Sequence, residues 1–151
     1  MTEEELIKKF ESENITLASF TKRFIAYAID DFIIAVLMCM SFAGIISTAS
    51  SSEENLQMVL EYLTPYFIIA KIVYQSVFVY LYGATIGKIA VKIRVIYINS
   101  GEKPNFYISF IRSVVRIVSE AILFIGFLWA FKDSKRQTWQ DVAAQTLVVD
   151  A

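Results

Sequence analysis

Two long apolar runs constrain this chain more than any other feature. Residues 24–46 and 62–82 supply about 23 and about 21 residues, or about 34 Å and about 31 Å of helix, each enough to cross a hydrocarbon core of about 30 Å. Across the 151 residues, 56% are hydrophobic and 15% aromatic, too apolar for a soluble domain of this size. The fold class expected is an α-helical integral membrane protein with two full transmembrane helices. Tyrosines 62, 66, 80 and 82 stand at the ends of the second run, as an aromatic belt requires, and Gly83 ends it. Between the runs, "STASSSEENLQ" (47–57) reads as the connecting loop.

Composition removes several function classes. The net charge of -1 offers no basic surface for nucleic acid. With no histidine and a single cysteine, Cys39, the chain has no means to build an internal disulfide, a zinc site, or Cys-His or Ser-His-Asp catalysis. No enzymatic role, metal or cofactor is therefore expected. "GATIGK" (83–88) resembles a phosphate loop superficially, but it has three residues between glycines where a Walker loop has four, and Ile89 follows the lysine where Ser or Thr is needed. No nucleotide is expected there; Gly83 and Gly87 read instead as residues that end the second span and turn the chain.

The cations set the expected orientation. Lys8, Lys9, Lys22 and Arg23 precede the first span, none lies between the spans, and Lys88, Lys92, Arg94 and Lys103 follow the second, which places the N-terminus in the cytoplasm of a bacterial inner membrane. Residues 1–22 carry five glutamates among Leu6, Ile7 and Phe10 and read as a cytoplasmic amphipathic helix, without the basic start and cleavage site of a signal peptide. A third hydrophobic segment lies at about 106–131, and its most apolar part, 117–131, covers only about 22 Å with cations at both ends. Two arrangements fit it: a re-entrant hairpin bending near Gly126, or a third span that absorbs Arg112, Arg116 and Glu120. Residues 91–98 switch to β-branched alternation, the tail "AQTLVVDA" is the other β-rich stretch, and the two are expected to pair as a small cytoplasmic two-strand element. That pairing puts both termini on one side.

The unusual feature of the first span is charge. "KRFIAYAIDDFIIAVL" (22–37) sets Asp30 and Asp31 inside an apolar run, where a carboxylate costs about 2.5 to 3.5 kcal/mol and needs protein, water or a partner. Arg23, Tyr27 and Asp30 share one helical face, and Asp31 points about 100° away. Asp30 is the expected inward residue, either a strut between helices or an ion or proton ligand, and Lys71 in the second span is its expected partner, with Gln75 at similar depth. Arg112, Arg116 and Glu120 form a stripe at i, i+4 and i+8, suited either to lipid phosphates at the interface or to an inward role with Asp141 or Asp30.

These residues carry a family resemblance. Arg23, Asp30 seven residues later, and Asp141 in "KRQTWQDVAAQTLVV" resemble the arginine and two aspartates after which the RDD family of membrane proteins is named, and "YGATIGKIAVKIRVI" (82–96) is similar to its second signature. The resemblance covers about residues 18–149. Trp139 and Gln140 stand where the family often has Leu-His, and Gln145 where it has glycine. Thr138, three residues before Asp141, has the spacing of a helix cap. The resemblance implies a loose association with transport. Two function classes follow: an exchanger of cations or protons with Arg23, Asp30 and Asp141 as motif residues and Lys71, Gln75, Glu120, Arg112 and Arg116 in support, working in the lipid bilayer as a homo-oligomer; or a scaffold that recruits a membrane partner.

Overall fold

The structure is a computed structural model that describes residues 12, 15–122, 125–132 and 136–151, and for residues 126 and 127 the backbone alone. The amphipathic segment expected at 1–22 therefore lies mostly outside the described residues.

Helix α1 (Phe20–Ser41) begins where the Ser19 hydroxyl accepts the Lys22 N–H at 3.3 Å, an N-cap that starts the helix four residues ahead of the apolar run. It breaks at Phe42 and resumes as α2 (Ala43–Ala49). Near the break the Ser41 hydroxyl bonds back to the Leu37 carbonyl at 2.8 Å, a contact that bends helices. Helix α3 (Glu53–Tyr82) is longer than the second apolar run. Ser52 caps it through the Asn55 N–H at 3.2 Å, and Glu53 and Glu54 complement the positive end of its dipole. The connecting loop expected at 47–57 thus shrinks to residues 50–52. Gly83, at φ +71, terminates α3 with its N–H on the Val79 carbonyl, as the sequence suggests.

Helices α1 and α3 are long and apolar enough to cross a membrane. They run antiparallel, since Asp31 meets Lys71 while Phe42 meets Tyr66. Short α4 (Ile86–Ala90) folds back onto α1 and leads into β1 (Ile93–Tyr97). This strand pairs antiparallel with β2 (Thr146–Asp150), from Ile93 opposite Asp150 to Tyr97 opposite Thr146. The segment before α1 adds to the other edge of β2, with the Ala18 N–H on the Val148 carbonyl at 3.0 Å and the Asp150 N–H on the Thr16 carbonyl at 2.9 Å. The β pairing expected from residues 91–98 and the tail is therefore present, and the start of α1 lies beside the C-terminal strand.

The third hydrophobic segment forms α5 (Phe106–Ala121), antiparallel to α3. Phe106 meets Tyr80 edge-on, Ser113 bonds Ser76 at 2.9 Å, Arg116 bonds Gln75, and Glu120 pairs with Lys71. Lys71 lies 11 residues, or about 16 Å, before the end of α3, so α5 ends alongside the middle of that helix. After α6 (Ile125–Leu128) and a 3₁₀ turn (Trp129–Phe131) the chain is back at the start of α1, where Phe131 stacks on Phe20 with ring centroids 4.1 Å apart. Helix α5 ends ahead of Gly126, the expected bend. Helix α7 (Trp139–Ala143) then leads into β2.

Burial is inverted relative to a soluble domain. Among the described residues Arg23, Asp30, Lys71, Gln75, Lys88, Arg112, Arg116 and Asp141 are buried, whereas Phe24, Phe32, Leu37, Met40, Leu60, Ile69 and Tyr107 are exposed. An apolar exterior around a polar interior is stable against lipid and unstable against water.

Candidate functional site

Asp30 is held by three donors. Its Oδ2 accepts the Thr85 hydroxyl at 2.6 Å, and its Oδ1 accepts the Tyr74 hydroxyl at 2.7 Å and the Gly87 N–H at 2.8 Å. Thr85 is positioned because it precedes α4 as its N-cap, and Tyr74 is fixed by taking the Ile86 N–H at 3.1 Å. Glycine at 87 is required by contact: a Cβ there would stand 2.2 Å from the Ala26 carbonyl oxygen and 2.8 Å from Asp30 Oδ1. The "GATIGK" step therefore clamps α4 against a carboxylate of the first helix. Gly83 ends α3 as expected, while Gly87 allows this close approach.

Asp141 is the second anchor, 1% exposed. Arg112 meets its Oδ1 at 2.5 Å, and Arg23 meets its Oδ2 at 3.0 Å. The Thr138 N–H and hydroxyl donate to the same Oδ2 at 3.0 and 2.8 Å, which is the cap that the Thr-x-x-Asp spacing predicts. Arg23 also donates to the carbonyls of Arg136 and Val148, and Arg112 to the Thr146 hydroxyl, so one carboxylate ties α1, α5, α7 and β2 together. Burial raises the Asp141 carboxyl pKa, but Arg112 and Arg23, followed by the Thr138 donors, outweigh it and hold the group below the ordinary carboxylate range.

A third group lies deeper. Lys71 pairs with Asp31 at 3.1 Å and with Glu120, and Arg116 pairs with the same Asp31 Oδ1 at 3.1 Å and with Glu120 at 2.7 Å. Arg116 also donates to Gln75 at 3.2 Å and lies over the Tyr27 ring, 4.1 Å from its centroid. Gln140 donates to the Tyr27 hydroxyl. The expected contact between Asp30 and Lys71 is not formed. Adjacent helical residues diverge by about 100°, and it is Asp31 that faces Lys71 while Asp30 faces α4. The Arg112, Arg116 and Glu120 stripe points into the protein, so the lipid-phosphate alternative does not describe it.

Asp31, Glu120, Arg116, Tyr27 and Gln140 line an open cavity of about 590 Å³, bordered on its apolar side by Phe24, Ala28, Leu128 and Phe131. The side chain of Asp31 is 37% exposed and that of Glu120 16%, against 1% for Asp141. Sequence reasoning missed Asp31, Tyr74, Thr85 and Gln140 as parts of the network. One signal was present for the inward stripe: Ser109, Ser113 and Ser119 share the buried side of α5 with the arginines, and small polar residues are what a close helix contact in a membrane uses.

The motif residues now have positions: Arg23 and Asp141 in one ion pair, Asp30 in the α4 clamp. A model of the RDD family matches residues 17–145. The chain belongs to the RDD family. Among curated proteins it is 34% identical over 67 residues to a proline-rich antigen homolog of Mycobacterium tuberculosis, covering 44% of this chain and 28% of that one. It is 38% identical over 65 residues to the proline-rich antigen of Mycobacterium leprae, covering 43% of this chain and 26% of that one. The matched stretch thus spans about a quarter of those relatives. No solved structure matches. Both departures from the RDD pattern now have a structural place: Gln140 reaches Tyr27 from α7, and Gln145 sits at φ +50, the left-handed region where the family's glycine carries no strain.

Proposed function

We propose that this RDD protein is a non-enzymatic exchanger of cations and protons in the bacterial cytoplasmic membrane, with Asp31 and Glu120 as the exchanging carboxylates. The observation that carries this reading is their position: two carboxylates bridged by Lys71 and Arg116, about 16 Å from the end of a spanning helix, at the wall of a cavity of about 590 Å³. Ionisable groups at that depth are costly and characteristically serve ion or proton pathways. Both cations are shared, so a cation entering the cavity competes with Lys71 for Asp31 and Glu120, and protonation of either carboxylate releases Lys71 to the other. In this arrangement α5 and α6 are re-entrant, both chain ends face the cytoplasm as the cation distribution requires, and Asp30 and Asp141 are struts.

The outer halves of α1 and α3, with Ile46 of α2, enclose a cleft of about 260 Å³ lined also by Met38, Cys39, Leu60 and Phe67, which leaves room for a neighbouring copy in a homo-oligomer. The scaffold alternative is favoured by the full hydrogen bonding of Asp30 and Asp141. Purified protein in liposomes with an enclosed pH dye separates the two readings. Exchange predicts a cation-driven pH change that saturates with cation concentration, whereas a signal equal to empty liposomes supports the scaffold and overturns exchange.

A further inference from the structure

Helix α4 carries one residue that neither the clamp nor the ion pairs use. Because Gly87 docks directly on Ala26, the next residue, Lys88, is turned inward, and it is 4% exposed. Its Nζ has no hydrogen-bond partner, unlike Lys71, the other buried lysine among the described residues. The charged groups around it come from every element packed there: Asp30 from α1, Arg112 and Arg116 from α5, and Asp141 from α7. Asp30 is occupied by Tyr74, Thr85 and Gly87, and Asp141 by Arg23, Arg112 and Thr138. Neither has turned to the lysine.

Charge balance points the same way. Among the described interior groups, Arg23, Lys71, Arg112 and Arg116 face Asp30, Asp31, Glu120 and Asp141, so the network is neutral without Lys88. A protonated Lys88 would be a fifth cation, buried and unpaired, which a low-dielectric interior opposes strongly.

We propose that the Lys88 amine is an interior proton-binding site of this domain, separate from the carboxylates Asp31 and Glu120. In its resting state the amine is neutral. It takes up one proton as H⁺ from the aqueous phase beside the sheet, becomes an ammonium, and adds one positive charge next to Arg112. Burial, reinforced by Arg112 and opposed by Asp30, lowers its pKa from the ordinary lysine value to about 7. The site deepens the exchange reading by supplying a second proton acceptor, but its occupancy is measurable without flux.

The test uses full-length protein labelled with ¹³C at the lysine ε-carbons, in detergent micelles, titrated from acid to alkaline pH. One resonance should have its midpoint near 7, vanish in Lys88→Met, and persist in Lys71→Met. If Lys88→Met does not fold, Lys88→Gln takes its place, and the resonance in the parent and in Lys71→Met still decides. All lysine resonances titrating near 10.5, or loss of the near-7 resonance in Lys71→Met alone, overturns the proposal.

Thermal unfolding gives a second reading. The unfolded chain binds a proton that the folded chain lacks between pH 7 and 10.5, so the parent should gain stability over Lys88→Met as pH rises through that window. Parallel profiles for the two proteins contradict the site. A midpoint near 7 without flux leaves the proton site standing and removes exchange; flux with every lysine near 10.5 does the reverse.

Discussion

Asp30 and Asp31 are neighbours in sequence and sit in opposite kinds of surroundings. Asp30 is 1% exposed, takes a hydrogen bond from each of three groups, and touches a glycine that no other residue can replace without moving backbone. Asp31 is part-exposed, shares both its cations with Glu120, and borders a cavity. Asp141 belongs with Asp30: buried, doubly paired and capped. A fully bonded buried carboxylate is costly to disturb and therefore suits fixing geometry, whereas one whose partners can be shared suits exchange. Of the two aspartates expected as motif residues, both fall in the first class, and the residue set aside falls in the second.

The largest expected effect comes from breaking the more heavily bonded anchor. Asp141→Ala leaves Arg23 and Arg112 buried without their shared carboxylate, a loss of about 3–5 kcal/mol, and should abolish folded protein or lower its thermal midpoint sharply in micelles. The parent carries the matching pH signature. The folded Asp141 pKa lies below its unfolded value, so the stability it contributes is complete above the unfolded pKa and is lost as pH falls through the folded one. Unchanged stability in Asp141→Ala would move Asp141 out of the anchoring class.

Gly87→Ala is next. It drives a methyl into the Ala26 carbonyl and the Asp30 carboxylate, and overpacking of this kind costs roughly 1–3 kcal/mol. Reduced stability together with a shifted Tyr74 environment, read by fluorescence or NMR, is expected, because Tyr74 bonds both Asp30 and the Ile86 N–H of α4. Normal stability would show that α4 is not clamped to α1.

The sequence made some of this visible and hid the rest for definite reasons. Apolar run length located both spans, Gly83 marked the end of α3, β-branched alternation found both strands, and the Thr138 to Asp141 spacing gave the cap, since all four are set by neighbours in the chain. The partner of Asp30 was not legible, because a 100° step between Asp30 and Asp31 decides it and the facing helix rotation is a tertiary matter. The extension of α3 back to Glu53 was hidden because its first turns are polar, yet Ser52 caps them and the glutamates suit the dipole. Helical spacing revealed the stripe of Arg112, Arg116 and Glu120 but gave no direction to it until α5 was set against α3.

The smallest expected effect on stability has the opposite sign. Gln145 is held at φ +50 just before β2, which costs a residue with a Cβ about 1–2 kcal/mol. Gln145→Gly should recover up to about 1 kcal/mol after the entropy cost of glycine, seen as a modest rise in thermal midpoint with flux unchanged. A fall in stability would mean that the Gln145 contact with Asn99 outweighs the strain.

The most direct measurement compares Asp30→Asn and Asp31→Asn, side by side, for thermal midpoint in micelles and for flux per folded protein in liposomes. Asparagine keeps the size and one accepting oxygen but removes the charge and puts an NH2 donor in place of the second oxygen, which Asp30 needs for donors on both sides and Asp31, paired through Oδ1, does not. Asp31→Asn should stay within about 1 kcal/mol of the parent and lose at least tenfold in cation-driven pH change, whereas Asp30→Asn should lose stability first and retain flux in the fraction that folds. A stable Asp30→Asn without flux, beside an Asp31→Asn with parental flux, would contradict the division of the two aspartates into strut and exchanger.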